Sequence, residues 1–278
     1  MTQPKPLPRL VQPRLWTGLA LAGATLGLAA APLRADSADL MISGGPERLW
    51  TAQSEGGEGG ESGAAVVDKE GQALSLVAQL GLIEGALRAG SDLAQAGQRD
   101  AAAAHVADLI KDNYDPAEAA LDAAKAPAFE TELTAAISAI TDGKTADEVR
   151  SATDAALTGI VAARAVEAGE PKEWFDAILF LTRKAGEEYG KGVKDGTLAD
   201  AGEYQESWGN LLAARTLAAE LSQSSDAKVK AAAEAATASL DEVSAAYGGI
   251  LGDRPLSGDE SLFAAAAAKI ELESYKVK

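Results

Sequence analysis

The sequence has no cysteine and a single histidine, and these two scarcities exclude most familiar catalytic and metal sites. Without a thiol there is no disulfide, no lipid-modified N-terminal cysteine and no covalently attached c-type haem. One histidine rules out multi-histidine zinc sites and the His-Glu-x-x-His helix of metalloproteases. No Gly-x-Ser-x-Gly motif is present to hold a serine nucleophile. We therefore expect that this protein is not an enzyme.

The chain is also poor in aromatic residues and in strand-like patterns. Aromatic residues make up 5% of it, and much of its 47% hydrophobic fraction is alanine. Alanine is the best helix former but adds little buried area per residue. No segment alternates polar and apolar residues with the β-branched enrichment of a strand. The composition predicts an all-α protein with closely spaced helices and thin cores.

The N-terminus has the pattern of a secretory signal peptide. Lys5, Arg9 and Arg14 precede an uncharged, mostly apolar run over residues 15–31, and small residues follow. We expect cleavage after Ala35 and a periplasmic location, with no transmembrane segment left in the mature chain. The alternative is an uncleaved anchor, although this run is short for a membrane span.

The mature chain is strongly acidic. Residues 1–35 contain four basic residues and no acidic one, so their removal leaves 21 basic against 42 acidic residues, a net charge of −21. Such a surface repels nucleic acid and suits cations or basic partners, although simple solubility explains it equally well. Residues 36–71 include a Gly/Glu-rich stretch and are predicted to form a flexible tether.

From residue 72 to residue 278 the pattern is helical. Apolar and small residues recur at spacings of three and four, as a helix in a bundle requires. Thr145–Glu148 has the pattern of a capping box, Gly97 that of a left-handed helix end, and Asp115-Pro116 that of a helix start. The linkers are short, which favours antiparallel neighbours. We predict an antiparallel up-and-down bundle of about seven or eight helices.

Two groups of side chains are candidate metal ligands. His105, Asp108 and Asp112 lie at positions i, i+3 and i+7, which places them on one side of a helix. An imidazole with two carboxylates suits iron, zinc or copper. The alternative is a half-exposed histidine beside the apolar stripe of its helix.

The second group consists of acids on two consecutive helices. Glu203 and Glu206 share one helix side, and Glu187 lies near the end of the preceding helix. Carboxylates that converge inside helical bundles bind iron in other proteins. The alternative is surface pairing of Glu187 with Lys191 and of Glu188 with Lys184.

Two stretches resemble a known family. The run Glu187–Gly196 followed by Gly202–Glu206 resembles a helix pair in the extracytoplasmic helical domains linked to FTR1-type iron permeases. The run Gly81–Gly90, with Gly97 and His105, is similar to the first helical hairpin of related exported proteins. Those proteins are expected to have a histidine near the position of Ala86 and another soon after His105, and this chain has neither.

The resemblance implies a periplasmic accessory in iron or other metal uptake. Its partner would be a membrane iron permease or another periplasmic protein, and iron would be the candidate ligand, bound through carboxylates. The alternative that the sequence leaves open is a structural or protein-interaction bundle without a ligand.

The signal peptide gives a first testable prediction. Mass spectrometry of the exported protein should find a chain that begins between Ala31 and Ala38, because small residues flank the expected cleavage site. An intact Met1 on a membrane-bound protein would contradict it.

Overall fold

The computed structural model describes residues 74–166 and 169–277, and these residues are almost entirely helical. The predicted signal peptide (1–35) and tether (36–71) lie outside them. The helices are α1 (Leu76–Gln95), α2 (Arg99–Val106), α3 (Asp115–Ala124), α4 (Glu130–Thr141), α5 (Ala146–Val166), α6 (Pro171–Gly192), α7 (Ala201–Leu221), α8 (Ala227–Ser244) and α9 (Glu260–Ser274). The all-α fold class is confirmed.

Several of the predicted helix boundaries are confirmed by their caps. Thr145 and Glu148 exchange hydrogen bonds as a capping box at the start of α5. Gly97 follows α1 with φ +80°, a conformation that glycine adopts without steric cost. Pro171 occupies the first turn of α6, where its missing N–H would have had no partner.

The predicted helix start at Asp115 needs a correction. Asp115 already has helical backbone angles, because the turn Ile110–Tyr114 before it is π-helical and joins α2 to α3. Pro116 has no N–H to continue the hydrogen-bond ladder, and a wider turn before it accommodates that gap. α2 and α3 therefore form one bent rod, and with this rod counted once the described residues contain eight helices.

The buried apolar side chains form two hydrophobic clusters, and α1 contributes to both. One side of α1, with Leu80, Ile83 and Leu87, packs with α2, α3, α4 and α5. Val77 and Ala78 of the same helix join the cluster formed by α6, α7, α8 and α9. α1 is thus the shared layer between the two groups of helices.

Helices α6 to α9 form an up-and-down four-helix bundle. Tyr189 near the end of α6 contacts the rings of Tyr204 at the start of α7, Tyr247 just after α8, and Phe263 at the start of α9, with centroid distances of 5.1–6.1 Å. At this end of the bundle α6 and α8 terminate while α7 and α9 begin, so neighbouring helices are antiparallel. We call these four residues with Trp208 the aromatic cluster.

The connection between α6 and α7 is a small β-hairpin. α6 continues through Gly192, and β1 (Val193–Lys194) then pairs with β2 (Thr197–Leu198). Asp195 and Gly196 form its turn with φ of +51° and +71°. Positive φ at both central residues is the type I′ geometry that suits a two-residue hairpin.

A buried ion network ties α5 to α1 and α7. Arg164 is fully buried, and its guanidinium lies 2.7 Å from the Glu84 carboxylate and 2.7 Å from that of Glu220. Arg88 completes the network through a 2.7 Å contact to Glu84. The i,i+4 spacing of Glu84 and Arg88 on one helix favours their pair. Arg215 pairs at the surface with Asp241.

α1 and α7 cross with their backbones in contact. A Cβ atom on Gly209 would lie 2.3 Å from the carbonyl oxygen of Gly85, far inside van der Waals distance. Glycine at these two positions sets the separation of the helices, and with it the distance of α1 from the four-helix bundle to which α7 belongs.

This crossing generates a stability prediction. Gly209→Ala should lower the free energy of unfolding by about 1–3 kcal/mol, because the added methyl group forces α1 and α7 apart. Gly202→Ala on the same helix is the matched control, since its Cβ would approach only Asp200 at 3.4 Å. The control should be neutral or more stable by about 0.5–1 kcal/mol. Urea unfolding measures both, and equal destabilisation would contradict the prediction.

Candidate functional site

Three glutamates from α6 and α7 converge beside the aromatic cluster. One carboxylate oxygen from each of Glu188, Glu203 and Glu206 lies within 4.8 Å of the other two. We call these three residues the glutamate cluster. Within the part of the chain that the structure describes, no other group of three His, Cys, Asp or Glu residues comes as close.

Local sequence explains why these helices can meet closely. A Cβ atom on Gly192 would lie 2.6 Å from the backbone nitrogen of Tyr204, so only glycine allows the end of α6 to touch the start of α7. Asp200 caps α7 by accepting hydrogen bonds from the N–H groups of Gly202 and Glu203. The cap fixes the first turn of α7, and Glu203 and Glu206 then follow one above the other on one side of the helix.

Burial differs among the three acids. Glu188 is buried, Glu203 is half-buried and Glu206 is exposed. The cluster is therefore open to solvent on the side of Glu206 and enclosed on the side of Glu188.

Two lysines neutralise the enclosed side. Lys191 Nζ lies 2.6 Å from a Glu188 oxygen and 3.4 Å from a Glu203 oxygen, and Lys184 Nζ lies 3.1 Å from the other Glu188 oxygen. The predicted Glu188–Lys184 pair is confirmed. Lys191 contacts Glu188 and Glu203, so its ammonium group stands between α6 and α7.

The pKa values of the two inner acids move in opposite directions. Burial disfavours the charged form of Glu188, but hydrogen bonds from Glu203 and Lys191 and the charge of Lys184 outweigh it and lower its pKa to about 2. The same hydrogen bond to Glu188 is the main reason that the pKa of Glu203 is raised, with burial second. The two carboxyl groups therefore titrate as a coupled pair, in which Glu188 is the more acidic group and Glu203 the less acidic one.

The structure separates the predicted ligands. It brings Glu203 and Glu206 together, but their partner on α6 is Glu188, and Glu187 is not part of the cluster. Buried positions along α6 include Ala185, Glu188 and Gly192, at spacings of three and four. Position 188 therefore faces inward. This spacing is the signal in the sequence that would have identified Glu188, and not Glu187, as the acid of α6 that faces α7.

The structure does not bring the predicted ligands His105, Asp108 and Asp112 together into one site. His105 Nε2 lies 3.0 Å from Oε1 of Gln205 on α7, and an amide oxygen only accepts, so this nitrogen carries a proton. Asp108 and Asp112 are exposed, and neither joins a three-residue ligand group within the described residues. In this geometry His105 connects α2 to α7, and only its Nδ1 is left to bind a metal. Metal ligation by this group stays a prediction.

A groove of about 510 Å³ lies at the same end of the bundle as the glutamate cluster. Residues 193–196 of the hairpin and residues 258–261 at the start of α9 line it. None of the three clustered glutamates lines it, so the cluster is a surface feature of the α6–α7 pair and not the wall of this groove.

The opposed pKa values generate a titration prediction. A depressed pKa means that Glu188 stabilises the fold above the pH at which it titrates when unfolded, and that this contribution is lost as the pH falls towards 2. Lys191→Gln replaces the charged ammonium donor with a shorter, neutral amide and should raise the pKa of Glu188, as measured by NMR titration of its carboxyl carbon. Lys194→Gln, whose ammonium binds the Gly190 carbonyl, is the control. An unchanged Glu188 titration in Lys191→Gln would contradict the assignment.

One comparison with known proteins matches the part of the chain that contains the glutamate cluster. No curated protein and no solved structure matches the chain. Residues 164–271, less than half of the chain, match the family model described as the iron permease-associated 4-helix bundle domain. The matched range begins at Arg164 and covers α6, α7, α8 and most of α9, and it includes the predicted motif Glu187–Glu206 but not the motif of α1. The resemblance to helical domains of FTR1-type iron permeases is therefore confirmed, and residues 164–271 link this protein to those permeases.

Proposed function

We propose that this protein is exported to the periplasm and acts as an accessory in iron or other metal uptake, binding the metal through carboxylates. The link to iron permeases supports the involvement in uptake. The N-terminal pattern of basic and apolar residues supports export. No helix among the described residues has both the length and the apolar character needed to cross a membrane, so none of these helices supplies a membrane anchor.

The convergence of Glu188, Glu203 and Glu206 carries the proposal for metal binding. Three carboxylates offer only oxygen ligands, which hard cations prefer, so Fe³⁺ should bind in preference to softer ions. All three glutamates lie within residues 164–271, the range that matches the iron permease-associated domain, so the candidate ligands belong to the part of the chain that is linked to iron uptake.

A bound cation has two competitors in this site. The ammonium of Lys191 has to leave Glu188 and Glu203, and protons compete with the cation at Glu203 because its pKa is raised. Ligands bind metals in their deprotonated form, so affinity should fall as the pH falls. A site with such competitors binds metal moderately and releases it readily, which suits transfer to a partner.

The proposed partner is a membrane iron permease or another periplasmic protein. The mature chain carries 42 acidic against 21 basic residues, so it attracts cations to its surface and favours a partner with a basic docking face. The protein in this role transfers its cargo without chemical conversion, and we propose no catalytic activity.

A second candidate function is a structural or protein-interaction bundle without a ligand. The two lysines at Glu188 favour it, because they already compensate the charge that a metal would neutralise. The two functions differ in one measurable property, saturable metal binding.

Metal binding is tested by equilibrium dialysis of the mature protein against Fe²⁺, Fe³⁺ supplied as citrate, Cu²⁺ and Zn²⁺. Saturable binding at micromolar metal is expected, with Fe³⁺ preferred, and Glu203→Gln combined with Glu206→Gln should weaken it at least about tenfold. His105→Ala should leave the affinity unchanged, because this residue is not part of the cluster.

The matched control combines Glu130→Gln with Glu132→Gln. These two exposed acids lie in the first turn of α4, as Glu203 lies in the first turn of α7, so the control removes the same charge from a comparable position. If both double variants weaken binding equally, the general acidity of the surface attracts the metal and not the cluster. If the unmodified protein shows no saturable binding, the interaction bundle is the correct function.

A further inference from the structure

Helix α9 is apolar on two opposite sides, and one of these sides is exposed to solvent. Phe263, Ala266 and Ile270 face the four-helix bundle, while Leu272 and Tyr275 on the other side are 65% and 58% exposed. α7 is also apolar on several sides, and there α1, α6 and α8 cover it. α9 packs mainly against α6 and α8. A helix that is apolar all round is normally covered all round.

The bare side has the spacing of a coiled-coil seam. Five exposed residues follow one another at intervals of four, three, four and three, namely Ser261, Ala265, Ala268, Leu272 and Tyr275. A period of 3.5 residues keeps such a line facing a single partner helix. We call these five residues the outer face of α9.

We propose that two copies of this chain pair through the outer face of α9, antiparallel, with the two-fold axis near Ala268. In this arrangement Leu272 lies level with Ala264 of the partner subunit and next to Ala265 of the partner subunit, and Tyr275 lies opposite Ser261 of the partner subunit. Each large side chain meets a small one, and the face is complementary to itself, as an isologous interface requires. A parallel pair would place large residues against large ones and leave a void at the other end.

Charge also selects a second copy as the occupant. Three ion pairs border the outer face, Arg183–Glu271 at 2.8 Å, Lys269–Glu242 at 2.6 Å and Lys276–Glu273 at 2.6 Å. Each of these pairs is neutral on a chain whose formal net charge is −17, and only Asp259 and Glu260, at the Ser261 end, add negative charge to the border within α9 and its cap. The paired charges reduce the repulsion between two such acidic chains at this face.

The length of the helix limits the strength of the contact. Fifteen residues span about 22 Å, and one helix pair of that length lies at the low end of protein interface sizes. The dimer should accordingly dissociate in the micromolar range. This inference goes beyond the proposed function and does not depend on metal binding.

Sedimentation equilibrium of the mature chain measures the association. A monomer–dimer equilibrium is expected, and higher salt should not weaken it, because the contact is apolar and salt screens the repulsion. Leu272→Glu should raise the dissociation constant at least tenfold. Val161→Glu, at a 43% exposed apolar residue of α5, is the control and should have no effect. A chain that stays monomeric up to about 100 µM, well above a micromolar dissociation constant, overturns the proposal, as do equal effects of the two variants.

The absence of cysteine allows a direct test of the axis. In a chain with one introduced cysteine, any disulfide joins two copies. Ala268→Cys should form a covalent dimer under mild oxidation, because the axis brings the two thiols together. Ala238→Cys, at an exposed position of α8, is the control. Equal cross-linking of the two variants, or none with Ala268→Cys, overturns the antiparallel arrangement.

Discussion

The fully buried guanidinium of Arg164 is the contact on which the two groups of helices depend. It comes from the last turn of α5, in the group of helices α1 to α5, and binds Glu84 of α1 and Glu220 of α7. Desolvation is the largest influence on Glu220 and raises its pKa despite the nearby arginine. Buried ion pairs in general add little net stability, because removing both charges from water costs about as much as their attraction returns. Removal of one partner would nevertheless leave a buried charge uncompensated, which typically costs about 3–5 kcal/mol. The network thus fixes which helices pack together more than how strongly they do so.

The position of α7 then determines the candidate site. Gly85 and Gly209 set its distance from α1, and Gly192 allows its first turn to touch the end of α6. The aromatic cluster packs behind that contact, with the Tyr204 hydroxyl donating to the Gly249 carbonyl at 2.6 Å. Burial is the main reason that the pKa of Tyr204 rises to about 12, so this hydroxyl stays neutral and the cluster acts as rigid support. The glutamates lie on helices that neighbouring rings and glycines hold in place.

The glutamate cluster combines features of a structural ion network and of a cation site. Lys184 and Lys191 satisfy Glu188, while Glu206 remains exposed and the pKa of Glu203 is raised. Charge compensation favours the structural role, and an open side with three converging oxygens favours the cation. A metal ion occupies the cluster only if its attraction to the carboxylates, after it has lost its hydration water, exceeds that of the Lys191 ammonium group, which contacts both Glu188 and Glu203.

The sequence by itself determined the fold class, most helix boundaries and the link to iron permeases, because alanine content, capping residues and the motif around Glu187–Glu206 are local signals. Glu203 and Glu206 were recognisable as neighbours because they are three residues apart on one helix. Only the tertiary structure decided that Glu188 faces them, that His105 binds Gln205 and that Arg164 joins Glu84 and Glu220. Such contacts join residues on different helices, up to 100 positions apart, and depend on helix rotation and crossing distance. Local periodicity predicts that a helix has an inner face, but packing determines what that face meets.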